Sequence, residues 1–304
     1  MKGKFAPIFA FWVAGLSLSR FMMTIGHAAD AAPAAASSVS TAAPAKSNAI
    51  TAAPKPGQPF TVSLPENATL DLVPIKPGKF LMGSPDSEAG RLLDEGPQHE
   101  VTISKDFWLG KCPVTQAQFQ AVTAFNPSVF KTDPNLPVEY LTWDDATAFC
   151  AKLTEQELAA GRLPAGYAYQ LPTEAQWEFA CRAGTTTPYA GTLDDLGWYD
   201  KNSGGATHPV GQKKPNAWGL YDMHGNVYEW CVDKYAPYAA GPATDPVGVK
   251  GQFRILRGGS FYSDIRFCRS AARYSAVPGG IGGNSGLFVS SIVGFRVALA
   301  PKAN

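Results

Sequence analysis

The 304-residue sequence lacks an excess of charge of either sign. Its 26 Lys and Arg residues nearly balance 25 Asp and Glu residues, and the net charge is +1. Proteins that hold nucleic acid through their overall charge carry a clear basic excess, and no local run of Lys or Arg replaces it here. The balance therefore argues against a nucleic-acid partner.

Short catalytic motifs and metal-ligand spacings are also missing. The sequence contains no Gly-rich phosphate loop, no nucleophile elbow and no HExxH metalloprotease motif. Its five cysteines contain no CxxC spacing, which argues against a zinc knuckle or a thioredoxin-type pair. The four histidines are scattered along the chain, so ordinary hydrogen-bonded histidines are favoured over a metal site built from three of them.

Apolar residues, by contrast, are plentiful, at 45% of the chain, which is enough for a sizeable core. Thirty Gly and 25 Pro residues indicate many turns and argue against a long-helix bundle. Short strands and long loops separate the predicted helices without βαβ periodicity, so we expect a single α+β domain. Three helices are predicted, from the capping residue Thr115 to Phe125, from Trp143 to about Leu158, and from the capping residue Thr173 to Gly184.

The N-terminal 28 residues have the layout of a secretory signal peptide. Two lysines precede an apolar stretch, and the small residues Gly26 and Ala28 occupy positions −3 and −1 of a cleavage site. A retained membrane anchor is the alternative, although Arg20 within the apolar stretch would be costly at bilayer depth. We therefore expect an exported protein, periplasmic or extracellular, which contacts a membrane only if this segment is retained.

Residues 29–59 are rich in Ala, Pro, Ser and Thr and show neither helical nor strand periodicity. This composition predicts a flexible, Pro-stiffened linker, so the folded domain is expected over residues 60–304. Export places the cysteines in an oxidising compartment, where some should pair and at least one of the five stays unpaired.

Six groups of residues, in order along the chain, carry a family resemblance. They are FLMGS (80–84), PV with LTWDDA (137–138 and 141–146), LPTEAQWE with CRAG (171–178 and 181–184), GLYDMHGNVYEW (219–230), RGGS (257–260) and GFR (294–296). Together they resemble the formylglycine-generating enzyme family, also called sulfatase-modifying factors. The resemblance spans about residues 78–299 and implies a compact, loop-rich α+β fold related to C-type lectins.

The resemblance also implies a calcium site in the GLYDMHGNVYEW segment. Its ligands would be the side chains of Asp222 and Glu229 and the backbone carbonyls of Gly225 and Val227. Two carboxylates and loop carbonyls within eight residues form the oxygen set that a hard cation prefers. The alternative is that the two carboxylates cap a buried turn without a metal.

In the family, the RGGS segment opens the active-site loop. Two cysteines, three and eight residues after its serine, bind copper and perform an oxidation. Here Ser260 is the serine, and the two positions hold Ser263 and Cys268. A hydroxyl is a poor ligand for Cu(I), so the implied copper site is incomplete, and the candidate catalytic residues are these three side chains.

Cys268 has a second interpretation, since it precedes the sequence Arg-Ser-Ala-Ala-Arg. It could match a structural cysteine that stands just before the family's Ala-Ala-Arg. The resemblance then implies a disulfide with Cys181. The two-thiolate copper site is incomplete in either case.

Residues 261–292 contain no Lys, Glu, Gln, Met or Trp. Every residue type in this stretch can be encoded by a codon that ends in C, the bias that adenine mutagenesis of AAC-type codons leaves. Diversity-generating retroelements act in this way on the C-terminal loops of proteins with this fold. Its Tyr, Ser, Gly and Asn residues are also typical of adaptable recognition surfaces, although an ordinary Gly-rich loop is the alternative.

Three functional hypotheses follow. The favoured one is an exported oxidase or maturation factor that acts on a peptide, protein or small-molecule substrate, like the periplasmic siderophore-maturing oxidases that resemble this family without its cysteine pair. The second is a non-catalytic binding module with residues 261–292 as its contact surface. The third is a true formylglycine generator that converts the cysteine of a Cys-x-Pro-x-Arg peptide, and Ser263 makes it the least favoured enzyme.

Overall fold

The computed structural model describes residues 53–279 and 291–302. The predicted signal peptide, most of the predicted linker and residues 280–290 of the Gly-rich stretch lie outside the described residues. In the part of the chain that is described, the helices are all too short or too polar to span a bilayer.

Twelve short strands are present within the described ranges, and most of them alternate with loops rather than with helices. They are β1 (Phe60–Ser63), β2 (Thr69–Ile75), β3 (Gly78–Met82), β4 (His99–Ile103), β5 (Phe107–Gly110), β6 (Tyr167–Gln170), β7 (Tyr228–Lys234), β8 (Ala243–Thr244), β9 (Arg254–Arg257), β10 (Tyr274–Ala276), β11 (Val293–Gly294) and β12 (Ala298–Pro301).

These strands form three sheets. The largest has the order β1-β2-β5-β12-β6, and all of its neighbouring strands are antiparallel. The second has the order β10-β9-β7-β11, and the third has the order β3-β4-β8. Only β11 with β7 and β8 with β4 pair in parallel among the described strands. The strands and helices together confirm the predicted α+β class.

Three helices lie where the sequence predicts them, and a short fourth follows. They are α1 (Gln116–Thr123), α2 (Trp143–Ala159), α3 (Glu174–Arg182) and α4 (Leu193–Leu196). Each of the first three begins with a capping box, in which a threonine hydroxyl accepts from the third helical N–H and that residue's side chain accepts from the threonine N–H. The local sequence therefore determines where each helix begins.

The end of the domain, over residues 293–301, is not one continuous strand. The structure has two strands there, with Phe295, Arg296 and Val297 between them, all buried. Arg296 points into the core, where its guanidinium donates to both oxygens of Glu229 at 2.6 Å. On either side of this buried pair the chain changes sheet, since β11 joins the β7 sheet and β12 joins the largest sheet.

Two clusters of buried apolar side chains form the core. One contains Phe119, Phe149 and Phe295, whose rings contact one another with centroids 5.3–6.2 Å apart. The other surrounds Trp177, which is fully buried on α3. Aromatic side chains bury a large area each, so these clusters supply much of the hydrophobic stabilisation of the domain.

Candidate functional site

The candidate loop, defined as residues 258–263, leaves the core directly after β9. Gly258 and Gly259 have φ angles of +97° and +73°, a region that favours glycine. A Cβ atom at Gly259 would lie 2.6 Å from the sulphur of Cys268. The glycine therefore lets the loop backbone pack directly against this thiol.

Ser260 and Ser263 lie together on the candidate loop. Their hydroxyl oxygens are 3.0 Å apart, and the N–H of Ser260 donates to the hydroxyl of Ser263 at 3.0 Å. Burial raises the pKa of the neighbouring Tyr228 phenol, and its hydrogen bond with Ser263 opposes the rise. Three hydroxyl groups therefore meet where the family resemblance implies a copper site.

Cys268 ends a short 3-10 helix that begins at Ile265, and its side chain is completely buried. Burial raises the pKa of its thiol, and a backbone hydrogen bond from Ser260 only partly opposes the rise. One buried thiol and one hydroxyl do not supply the pair of soft thiolate ligands that Cu(I) prefers. The residues present therefore do not fit the implied copper centre.

In the structure all five cysteines are free thiols, and the disulfide between Cys181 and Cys268 that the resemblance implies stays a prediction. The sulphur of Cys181 lies 3.9 and 3.7 Å from the two ring nitrogens of His224. In the favoured tautomer, Nδ1–H of His224 donates to the Cys268 carbonyl at 2.8 Å, and Nε2 accepts the N–H of Ala190 at 3.1 Å. The imidazole thus fills the space beside Cys181, and burial lowers its pKa to about 4, which keeps it neutral.

The predicted calcium ligands lie in the segment that leads into β7. Asp222 is fully buried, and one of its oxygens accepts the N–H of Gly211 at 2.7 Å. Its other oxygen is buried and accepts no hydrogen bond of normal geometry from the described residues. The side chain of Asn226 nearby favours the charged form of Asp222 and so lowers its pKa. Burial raises the pKa of Asp222 to about 6, so an uncompensated negative charge there is unfavourable.

Glu229 differs from Asp222 because its charge is already compensated. Both of its oxygens accept from Arg296, and the indole N–H of Trp177 donates to one of them at 2.7 Å. Of the two predicted carboxylate ligands, Glu229 is thus already paired with a cation, and calcium binding stays a prediction. Within residues 53–279 and 291–302, no three His, Cys, Asp or Glu side chains are grouped closely enough to hold a metal ion.

The structure adds two residues that the sequence did not indicate. The ring of Phe130 packs edge-to-face against Phe261 of the candidate loop, with centroids 5.5 Å apart. Glu139 holds Phe130 in place, since one carboxyl oxygen accepts the N–H groups of Val129 and Phe130 at 2.7 and 2.9 Å. The sequence could have indicated Glu139, because it lies in the apolar run from Leu136 to Leu141. A buried acidic side chain in such a run needs a hydrogen-bond partner.

Residues 261–292, the Gly-rich stretch, are only partly available as a contact surface. Cys268 to Arg273 form an uninterrupted run of buried residues in its middle. Tyr262 is 73% exposed and stands between the buried side chains of Phe261 and Ser263. Among the described residues of the stretch, Tyr262 is therefore the large apolar side chain most open to a partner.

Comparison with known proteins places this geometry in a family. Residues 59–300 match the sulfatase-modifying factor enzyme 1-like domain. The chain is 30% identical to the chaperone protein LppX of Paenibacillus barcinonensis, over 62% of this chain and 81% of that protein. It is 35% identical to the formylglycine-generating enzyme of Streptomyces coelicolor, over 50% of this chain and 52% of the enzyme, so it spans about half of that relative.

Two solved structures resemble the domain over nearly their whole length. Treponema denticola variable protein 1 superposes with a TM-score of 0.69 at 29% identity, over 80% of this chain and 99% of that one. PvdO from Pseudomonas aeruginosa superposes with a TM-score of 0.67 at 29% identity, over 81% and 99%. On the domain match, the chain belongs to the sulfatase-modifying factor family, whose namesake enzymes generate formylglycine.

Proposed function

We propose that this protein is an exported maturation or accessory factor that recognises a peptide or protein substrate through the candidate loop, and that it does not generate formylglycine. The observation that carries the proposal is that the backbone of Ser260 hydrogen-bonds both the Ser263 hydroxyl and the fully buried Cys268 thiol. A hydroxyl and a buried thiol do not supply the thiolate chemistry of a formylglycine generator. The similarity to LppX, which is named a chaperone protein, supports an accessory role.

The surroundings of the candidate loop support recognition. Ser203 donates its hydroxyl to the Phe261 carbonyl at 2.7 Å, and Phe130 packs against the Phe261 ring. This support fixes the backbone on which the exposed Tyr262 stands. A tyrosine on a rigid backbone presents a large amphipathic surface at low entropic cost, as in many recognition sites.

The proposal is tested by binding of the purified full chain to an array of synthetic peptides, with Tyr262→Ala and Leu81→Ala as variants. Leu81 is 49% exposed on β3, outside the candidate loop, and is the matched control. Peptides bound by the wild type should lose about tenfold or more in affinity with Tyr262→Ala and little with Leu81→Ala. Equal losses in both variants, or no peptide bound by the wild type, would contradict the proposal.

A variable binding module is the second candidate. It is supported by the resemblance to a protein named a variable protein and by the residue types missing from 261–292. The buried run that follows Phe267 restricts such variation to positions outside it. A reverse-transcriptase gene and a near-identical repeat of this segment beside the gene would support this candidate, and a neighbourhood without them would contradict it.

A further inference from the structure

A loop formed by residues 235–247, between β7 and Gly248, covers a cavity of about 210 Å³. The cavity is lined by polar side chains, among them His99, Glu174, Asp233, Tyr238 and Arg273, and by small apolar residues of the loop. We call this segment the cavity loop. None of these five side chains belongs to the candidate loop.

The far part of the cavity loop is attached to the third sheet. Its strand β8 pairs with β4 in parallel, and the N–H of Asp245 donates to the Thr102 carbonyl at 2.9 Å. The carboxylate of Asp245 accepts from both the N–H and the hydroxyl of Ser104. Asp245 is exposed, so this attachment is made in contact with water.

The near end of the cavity loop is attached through Asp233, which is only 4% exposed. One oxygen of Asp233 accepts the N–H of Gly248 at 2.6 Å, and the other accepts the N–H of Glu174 at 2.7 Å. The N–H of Lys234 donates to the Gly248 carbonyl at 2.7 Å. A Cβ atom at Gly248 would collide with the Lys234 carbonyl, so a glycine is required for this close attachment.

Several charged and titratable groups face the Asp233 carboxyl. Glu174 on α3 is the acidic neighbour, and its own carboxylate is paired with Arg273 at 2.7 Å. Arg254 on β9, Lys234 on β7 and Arg257, which lies 3.6 Å from Glu174, are further cations nearby. His99 on β4 and Tyr238 also line the cavity. Burial and the negative charge of Glu174 outweigh the two backbone hydrogen bonds and Arg273, and they raise the pKa of Asp233 to about 7.

We propose that Asp233 is a pH-sensitive clasp that holds the cavity loop closed under acidic conditions and loosens it as the pH rises. The closed loop buries the Asp233 carboxyl beside a second carboxylate. An open loop would expose the same carboxyl to water, while Asp233 on β7 stays next to Glu174 on α3. The closed form therefore retains its proton more strongly than the open form, and loss of that proton favours opening.

The test is amide hydrogen exchange of the full chain between pH 5 and pH 8, corrected for the intrinsic pH dependence of exchange. In the wild type, we expect the opening equilibrium of the Gly248 amide and its neighbours to rise by about tenfold or more over this range. In Asp233→Asn the side chain cannot lose a proton, so the corrected opening should not change with pH. Asp245→Asn is the matched control, since it weakens the exposed attachment of the same loop.

The control should raise opening at every pH and keep the pH dependence of the wild type. A wild-type opening equilibrium that is the same at pH 5 and pH 8 would overturn the clasp, and this result does not depend on any variant folding. The clasp would also be overturned if Asp233→Asn kept the pH dependence of the wild type.

Discussion

At the scale of single residues, Glu139 connects a buried charge to the candidate loop. One of its oxygens accepts two backbone N–H groups, including that of Phe130, while the other is buried without a hydrogen-bond partner among the described residues. Burial raises the pKa of Glu139 to about 7, and the hydrogen bonds from Phe130 and Val129 oppose the rise. At neutral pH the buried Glu139 carboxyl is therefore ionised in part of the folded molecules, which lowers the free energy of unfolding.

This cost predicts a pH-dependent effect of Glu139→Gln. A carboxyl whose pKa is higher in the folded than in the unfolded state loses its stabilising contribution as the pH rises from about 4.5 to about 7. The variant lacks this loss, so its free energy of unfolding relative to wild type should increase by about 2–3 kcal/mol from pH 4.5 to pH 8. Urea unfolding at several pH values measures it, with Glu66→Gln, an exposed site, as control. A difference between Glu139→Gln and wild type that does not change with pH would contradict this account.

The family resemblance predicted part of the site. It placed Ser260, Ser263 and Cys268 at the positions of an incomplete copper site, and in the structure Ser260 contacts both of the others. Spacing could not reveal that His224 lies beside Cys181, because their contact joins two distant segments. The disulfide between Cys181 and Cys268 that the resemblance implies stays a prediction.

At the scale of elements, local signals predicted the helices better than the strands. Thr115 and Thr173 form the capping boxes that the sequence indicates, because such caps depend on residues only three positions apart. Between β11 and β12 the buried Arg296 instead pairs with Glu229, 67 positions away. Nothing local to residues 294–299 carries that information.

The segment between β3 and β4 provides a test at this scale. Arg269 is buried, and its guanidinium donates to Glu95 at 2.5 and 2.8 Å and to Glu88 at 2.6 Å. It also donates to the Gly90 carbonyl at 2.8 Å. Arg269 thus fastens this segment to the residues that follow the candidate loop.

Arg269→Met should leave two buried carboxylates unpaired and lower the free energy of unfolding by about 3–5 kcal/mol at pH 7. Hydrogen bonds to Arg269 hold the pKa of Glu95 below its usual range against the effect of burial. Without Arg269, burial raises the pKa of Glu95, so the variant takes up a proton at a higher pH than the wild type and the loss should shrink as the pH falls. Arg266→Met is the control, because Arg266 is exposed and its pair with Asp264 contributes little. Similar losses in both variants at pH 7 would contradict the role of Arg269.

At the scale of the whole molecule, the fold was predictable from segments whose residues pack the core. Trp177, Trp230, Arg257 and Arg296 all belong to the resembling segments, and all four are fully buried. Such residues specify the family fold whatever chemistry its loops perform. Family membership therefore does not determine the substrate. Export and calcium binding stay predictions.

The measurement that tests the central claim most directly follows the mass of a Cys-x-Pro-x-Arg peptide incubated with the purified full chain, Cu(I) and oxygen. The account predicts that the peptide cysteine is unchanged, because Ser263 supplies a hydroxyl and Cys268 a buried thiol where copper requires two thiolates. A formylglycine-generating enzyme assayed in parallel shows that the conditions support conversion. Catalytic conversion of the cysteine to the aldehyde by this chain would contradict the account and would show that the protein generates formylglycine.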